Sequence, residues 1–365
     1  MSDSNERRAR LIAFYLPQFH PIPENDEWWG SGFTEWTNVV KAKPLYRGHQ
    51  QPVLAGELGY YDLRVPEVRE AQASLARQYG IAAFCYYHYW FGDGRRLLER
   101  PFEEVLASGS PDLPFCLCWA NESWSGIWHG APQTTLIEQR YPGLFDHERH
   151  FDRLLPAFRD PRYFRVDGKP LFVIYLPYAI PDLAAMAKRW DVLAKQAGLP
   201  GIHLVLHQYG YYPKHHDSGI FGGYTTPNLR GPDSPIASRN PYERFKAWVR
   251  PRLGHPTIYR YDRIIEEMVK PLSDELLENY PCVMPNWDNT PRSGKRGLVW
   301  QGSNPEKFRV PLRAAIEYVR SRQPERRIVF LKSWNEWAEG NFVEPDARFG
   351  RGYLEVIDEE TRGAT

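Results

Sequence analysis

Short apolar runs alternate along the chain with longer segments whose apolar residues recur at helical spacing. The runs fall at Leu11–Leu16, Ile81–Tyr87, Phe115–Trp119, Leu171–Leu176, Ile202–His207, Ile220–Thr225, Cys282–Trp287 and Ile328–Ser333. They are nearly continuous in apolar residues instead of alternating, the mark of parallel strands buried on both faces. Between them, Val65, Val68, Gln72, Leu75, Ala76 and Tyr79 form one helical face, and Phe308, Val310, Leu312, Ile316 and Val319 form another. Eight strands separated by helices predict an α/β fold, a (β/α)8 TIM-type barrel, with an open doubly wound sheet as the alternative. The stretch between His207 and Ile220 leaves room for a stub and not a full helix. Long insertions follow strand 1, at Pro17–Arg64, and strand 6, at Arg230–Pro281.

No linker or shift of composition marks a second domain. The expected division is a polar tail at 1–9, a single catalytic domain at 10–353 and a C-terminal tail at 354–365. The longest apolar run, Ile81–Tyr87, is far short of the roughly 18–20 residues of a membrane span. The polar opening Met1–Arg8 lacks the apolar stretch of a secretory signal, so the expected location is cytoplasmic. Cys85, Cys116, Cys118 and Cys282 each lie in an apolar segment and are expected to be buried thiols. With 46 Lys+Arg against 45 Asp+Glu the net charge is +1, which gives no field to draw in nucleic acid. Partners must be recognised by shape and local chemistry.

In parallel α/β folds ligands bind beyond the carboxyl ends of the strands. The residues at those ends are Gln18 and His20; Tyr87, His88 and Trp90; Trp119, Asn121, Glu122 and Trp124; Gln208; Asn286, Trp287 and Asp288; and Trp334, Asn335, Glu336 and Glu339. With 13 Trp, 22 Tyr and 18 Phe in the chain, one rim collects aromatic rings, amides and carboxylates. A pyranose needs this mixture, rings for its C–H faces and planar polar groups for its hydroxyls.

The sharpest candidates are Glu336 and Glu339. In a strand they would point to opposite faces, whereas one helical or 3₁₀ turn brings positions i and i+3 together. Glycoside hydrolysis needs such a pair, one carboxyl kept protonated by burial and the other ionised. Asn121-Glu122 repeats the order of Asn335-Glu336, so Glu122 is either a sugar-hydroxyl acceptor or an alternative partner of Glu336.

Phe14-Tyr15-Leu16-Pro17-Gln18-Phe19-His20, Trp28-Trp29-Gly30, Gly32-Phe33-Thr34-Glu35-Trp36-Thr37-Asn38, Tyr86-Tyr87-His88-Tyr89-Trp90-Phe91 and Cys118-Trp119-Ala120-Asn121-Glu122 resemble the WbsX-like family. That family is named as glycosyltransferases of bacterial surface-polysaccharide loci and is similar to glycoside hydrolase family 99. Trp334-Asn335-Glu336-Trp337-Ala338-Glu339-Gly340, followed by Glu344-Pro345, looks like the catalytic segment of that hydrolase family. The resemblance runs from about Ile12 to Tyr353. It implies a (β/α)8 retaining α-mannosidase-like enzyme in which one carboxylate deprotonates the sugar 2-hydroxyl, giving a 1,2-anhydro sugar. Carried over, Glu336 assists the 2-hydroxyl and Glu339 is the general acid/base. The same motifs add Tyr15, Trp36 and Glu344 to the substrate-binding candidates.

The implied substrate is an α-linked oligosaccharide or polysaccharide, lipid-linked or free, with mannose among the sugars considered. The alternatives are a sugar-nucleotide glycosyltransferase and a carbohydrate-binding protein without chemistry. No Asp-x-Asp, Gly-x-Gly-x-x-Gly or Gly-x-x-x-x-Gly-Lys is present to hold a metal-bound diphosphate. His20, His88, His129 and His207 show no metal-ligand spacing, so neither metal nor cofactor is expected. The basic residues Arg292, Lys295 and Arg296 form a solvated loop, or else meet an anionic group on the substrate.

Overall fold

The computed structural model describes residues 7–126, 131–207, 220–227, 249–250, 254–268 and 277–362. At its centre eight parallel strands close into a barrel: β1 (Arg10–Tyr15), β2 (Ile81–Trp90), β3 (Phe115–Trp119), β4 (Lys169–Ile174), β5 (His203–His207), β6 (Gly223–Pro227), β7 (Asn279–Val283) and β8 (Ile328–Leu331). Each strand pairs with the next in the chain. The ring closes between β8 and β1, in register from Arg10 opposite Ile328 to Ala13 opposite Leu331. Every expected apolar run contributes a barrel strand, and the doubly wound alternative is excluded by the closure. β3, β5 and β8 are buried throughout, as continuous apolar sequence requires.

Inside the barrel Phe14 meets Tyr87, His207 and Phe330, with ring centroids 5.5–5.7 Å apart. Emptying such a buried aromatic site typically costs about 3–5 kcal/mol. Glycine is required at 223, where a Cβ would come within 2.6 Å of the Glu278 carbonyl and the Tyr280 ring. The absence of a side chain there lets β6 lie against β7. All four cysteines are free and buried.

Helices coat the barrel. α1 (Pro23–Trp29), α2 (Glu35–Lys41), α3 (Pro66–Gln78), α4 (Arg100–Ser108), α5 (Leu144–Arg159), α6 (Leu183–Gln196), α7 (Tyr261–Met268), α8 (Thr290–Ser293), α9 (Pro305–Val319) and α10 (Gly352–Arg362) follow in chain order. α3 begins on Pro66, whose missing N–H costs nothing in a first turn, and buries Gln72, Leu75 and Ala76 of the expected face, while Val65 precedes the helix and is exposed. α9 is capped by the Asn304 side chain accepting from the Lys307 N–H at 2.9 Å, and buries Phe308, Leu312, Ile316 and Val319. Val310 does not belong to that face. It lies about 200° round from Phe308 at 100° per residue and is 53% exposed.

The C-terminal tail expected from 354 is instead most of α10, which packs on α9. Leu354, Val356 and Ile357 are buried there, and Glu360 is paired with Arg309 and Arg313. Residues 7–9 of the expected N-terminal tail are likewise tied down. The Arg8 N–H donates to the Thr361 carbonyl at 2.8 Å and Arg7 pairs with Asp358 at 2.9 Å.

The first insertion folds as α1 and α2 over the barrel mouth. The described part of the sixth-strand insertion supplies α7 and the strand Thr257–Arg260, which pairs with Leu298–Gln301. The expected short crossover after β5 lies outside the described residues. Among the described residues no helix is long and apolar enough to cross a membrane.

Candidate active site

Where β8 ends, the chain passes through Lys332, Ser333 and Trp334 into an antiparallel pair, Asn335–Glu336 with Asn341–Phe342, closed by the 3₁₀ turn Trp337–Glu339. Gly340 ends the turn at φ 52° with a Cβ position only 2.8 Å from Asp288, so left-handed backbone and close approach both demand glycine. The turn that the i, i+3 spacing called for is therefore present. Glu336 and Glu339 both line a cleft of about 300 Å³ at the carboxyl ends of the strands, and each carboxyl shifts the proton affinity of the other.

The two carboxyls are pushed apart. Burial raises that of Glu336, but Lys332, Glu339, the Ser333 hydroxyl and Arg292 outweigh it, so the net direction is down. The Ser333 hydroxyl donates at 2.7 Å. For Glu339 burial is the largest influence. Arg292 opposes it, the Glu336 charge adds to it, and the carboxyl rises to about 8. At neutral pH the pair thus holds one proton, on Glu339, and one charge, on Glu336.

Arg292, on α8, donates to Glu339 at 2.5 Å and to the buried Glu35 at 2.7 Å. Lys332 stands behind the pair, with its Nζ 3.5 Å from the Tyr175 hydroxyl. The walls carry Gln18, Trp29, Tyr87, Tyr89, Trp124 and Trp287, with Glu122 at the open rim. Among the described residues no group of three or more His, Cys, Asp or Glu is arranged to hold a metal ion.

Of the residues proposed from sequence, Gln18, Tyr87, Glu122, Trp124, Trp287, Glu336 and Glu339 line this cleft. Gln208 lies outside the described residues. The others do not line this cleft: Asn286 and Asp288 line a neighbouring cavity, and protein partners hold the rest elsewhere. Tyr15 points out of the barrel and donates to Gln72 at 2.7 Å. His20 bonds the Pro17 carbonyl, and Trp36 donates to the Tyr61 carbonyl. His88 faces outward to His150, Nε2 to Nε2 at 2.9 Å. Trp90 donates to Asp146, Trp119 donates to the Trp90 carbonyl, and Trp334 is wholly buried against Phe84.

Three asparagines share one structural device. The amide of Asn121 spans the backbone N–H and C=O of Leu176, that of Asn335 spans those of Leu16, and that of Asn286 spans those of Phe342, at 2.8–3.2 Å. In Asn121-Glu122 and Asn335-Glu336 the asparagine splints the backbone and the next residue faces the cleft. Asp288 accepts from His49, Gln51 and Thr290 outside the cleft. Glu344 is buried behind the turn that carries Glu336 and Glu339.

Sequence reasoning assigned no role to Lys332, Glu35 or Tyr175, and left Arg292 as a solvated loop residue or an anion contact. Lys332 carried a usable signal, a cation closing an apolar run at the carboxyl end of a strand. Glu35 and Arg292 carried none, being 257 positions apart.

The sequence pattern of the family described as "Glycosyltransferase WbsX" matches residues 11–357. The chain is 41% identical over 355 residues to the "Uncharacterized protein WxcX" of Xanthomonas campestris pv. campestris (strain B100), covering 95% of this chain and 49% of that protein. WxcX of strain ATCC 33913 matches to the same extent. The chain therefore spans about half the length of the curated relatives it matches. Similar solved structures include a "Glycoside hydrolase-like protein" (TM-score 0.59, 16% identity, 100% of this chain and 96% of that one). Another is the GH99 endo-alpha-mannosidase from Bacteroides thetaiotaomicron (TM-score 0.53, 15% identity, 98% and 96%). At these identities the likeness is one of fold.

Proposed function

The chain belongs to the WbsX glycosyltransferase family, and from that membership and the carboxyl pair we propose a glycoside hydrolase or transglycosylase acting on an α-linked glycan of bacterial surface polysaccharide. Mannose is the leading candidate sugar, since the GH99 fold relative is an endo-alpha-mannosidase. The observation that carries the proposal is two buried carboxyls set on one 3₁₀ turn in the same cleft, with Glu336 shifted down and Glu339 shifted up.

In the first step Glu336 takes the proton of the sugar 2-hydroxyl while O2 attacks C1. Glu339 gives its proton to the departing glycosidic oxygen, and a 1,2-anhydro sugar results. In the second step Glu339, now ionised, takes a proton from water or from an acceptor hydroxyl that opens the ring at C1, and O2 recovers its proton from Glu336. Two inversions retain the configuration. O2 must lie anti to the leaving oxygen, an arrangement α-mannosides provide. Arg292, 2.5 Å from Glu339, stabilises the carboxylate formed midway.

The family description favours transfer, and the acceptor in the second step decides between transfer and hydrolysis. The cleft sets Glu35, Glu122, Glu336 and Glu339 against Arg292 and Lys332, and Arg292 is already ion-paired with Glu35 and Glu339. Four carboxyl groups against two cations disfavour a diphosphate, which supports a glycoside donor over a sugar nucleotide.

The test is to incubate the purified protein with lipid-linked and free α-mannosyl oligosaccharides, with and without sugar nucleotides, and follow products by mass. Shortening or rearrangement without a nucleotide is expected. Extension that requires one would overturn the proposal. A cytoplasmic site of action belongs to the same proposal, and fractionation of cells making the full-length gene product tests it.

A further inference from the structure

A second cavity opens beside the cleft at the same end of the barrel, and Trp287 lines both. Its volume is about 430 Å³, inside the roughly 300–1,000 Å³ range of ligand sites. Neither the carboxyl pair nor the barrel core accounts for it. Its walls come from residues 46–54 of the first insertion, residues 286–288 after β7, residues 299–303 and the segment 340–349.

The cavity offers ring faces and fixed polar groups. Tyr46, half-buried, stacks on His49 with centroids 4.4 Å apart and planes at 10°. Trp287, also half-buried, lies 6.0 Å from Trp300. The Asp288 carboxylate accepts from His49 at 2.7 Å, Gln51 at 2.8 Å and Thr290 at 2.6 Å. Both Asp288 oxygens are taken up, and the cation on the wall is Arg348, whose guanidinium lies over the Phe349 ring, 4.6 Å from its centroid. Aromatic faces with directed polar groups suit a sugar. The wall is also rigidly joined to the catalytic turn, because the Asp288 N–H donates to the Glu339 carbonyl at 2.7 Å.

We propose that this cavity is a distal glycan subsite. A glycan whose scissile bond lies at Glu336 and Glu339 runs past Trp287 and seats a further sugar unit against Tyr46. The inference rests on the glycan reading of the cleft and deepens it. The substrate is then an oligosaccharide of several units, longer than the cleft alone accommodates.

The experiment uses Glu339→Gln protein, which binds without turnover. It is titrated calorimetrically with size-fractionated oligosaccharides released by mild acid from the surface polysaccharide of the strain that carries the gene. Affinity is expected to rise with length until the second cavity is filled. In the same background Tyr46→Ala and Ser303→Trp, the second filling the cavity, should each weaken the longer fragments about tenfold and leave the shortest unchanged. Trp124→Ala, in the cleft, should weaken every length. If Trp124→Ala weakens all lengths while neither cavity variant affects the long fragments, the distal subsite is refuted and the glycan reading stands. If no fragment of any length binds the parent protein, both fail together.

Discussion

Trp337 donates its indole N–H to the Glu344 carboxylate across 2.6 Å, which fastens the middle of the turn bearing Glu336 and Glu339 to the core behind it. Glu344 also accepts from the Tyr61 hydroxyl at 2.8 Å and the Gln72 amide at 2.6 Å. Asn335 donates to the same Tyr61 hydroxyl at 3.3 Å. With only neutral donors around it, burial pushes this carboxyl up to about 7.

Glu344→Ala should strand those donors inside the protein. An unpaired buried polar group costs about 1–3 kcal/mol, so a loss of about 3 kcal/mol or more is expected in urea unfolding, with a weakened turnover. Glu344→Gln keeps most of the shape and should be much milder. Because the folded value lies above the ordinary 4.5, the contribution of Glu344 is full below about pH 4.5 and is lost as pH rises through about 7. Wild-type stability should therefore fall across that window more steeply than that of Glu344→Gln. Equal slopes would remove Glu344 as a titrating group.

Turnover should follow a bell-shaped pH profile. Its alkaline limb falls as Glu339 loses its proton near pH 8, and its acid limb falls as Glu336 gains one below 4.5. The two apparent values belong to the pair as a whole. A rate still climbing well above pH 8 would show that Glu339 does not supply the proton.

Arg292→Gln should be strongly destabilising, because it leaves Glu35, 1% exposed, as an uncompensated buried charge. Breaking a buried pair from one side typically costs about 3–5 kcal/mol. Glu35→Gln added to Arg292→Gln should recover part of that loss. Simple additivity of the two variants in unfolding measurements would show that the residues do not stabilise one another.

The barrel was legible because strands buried on both faces leave continuous apolar runs, and two-sided burial needs no partner to be read. α10 was missed because its charged residues outnumber Leu354, Val356 and Ile357, and the stripe shows only once α9 is there to cover it. Glu336 and Glu339 could be paired from spacing alone, since a single turn decides their geometry. Adjacency to a strand end could not decide which side a residue faces. Tyr87 enters the cleft while His88, one position on, turns out to His150. Asn335 and Asn121 looked like sugar ligands by composition, yet each is consumed by backbone groups distant in sequence. Glu35 and Arg292 meet only through the fold.

The roles of the two carboxyls can be separated by leaving group. Glu336→Gln removes the base for the 2-hydroxyl, so both a natural glycan and an aryl glycoside with an acidic phenol should react at least about 10²-fold more slowly, the scale general acid–base catalysis contributes. Glu339→Gln removes the proton donor, which a glycan needs and a departing nitrophenolate does not. Formation of the anhydro intermediate from the aryl glycoside should then stay near the wild-type rate, read as a burst of phenolate, while turnover of the glycan collapses. A 2-deoxy substrate, with no hydroxyl for Glu336 to deprotonate, should be inert with the wild type. Normal turnover of that substrate would exclude 2-hydroxyl participation, and equal losses of both substrates in Glu339→Gln would exclude its role as acid.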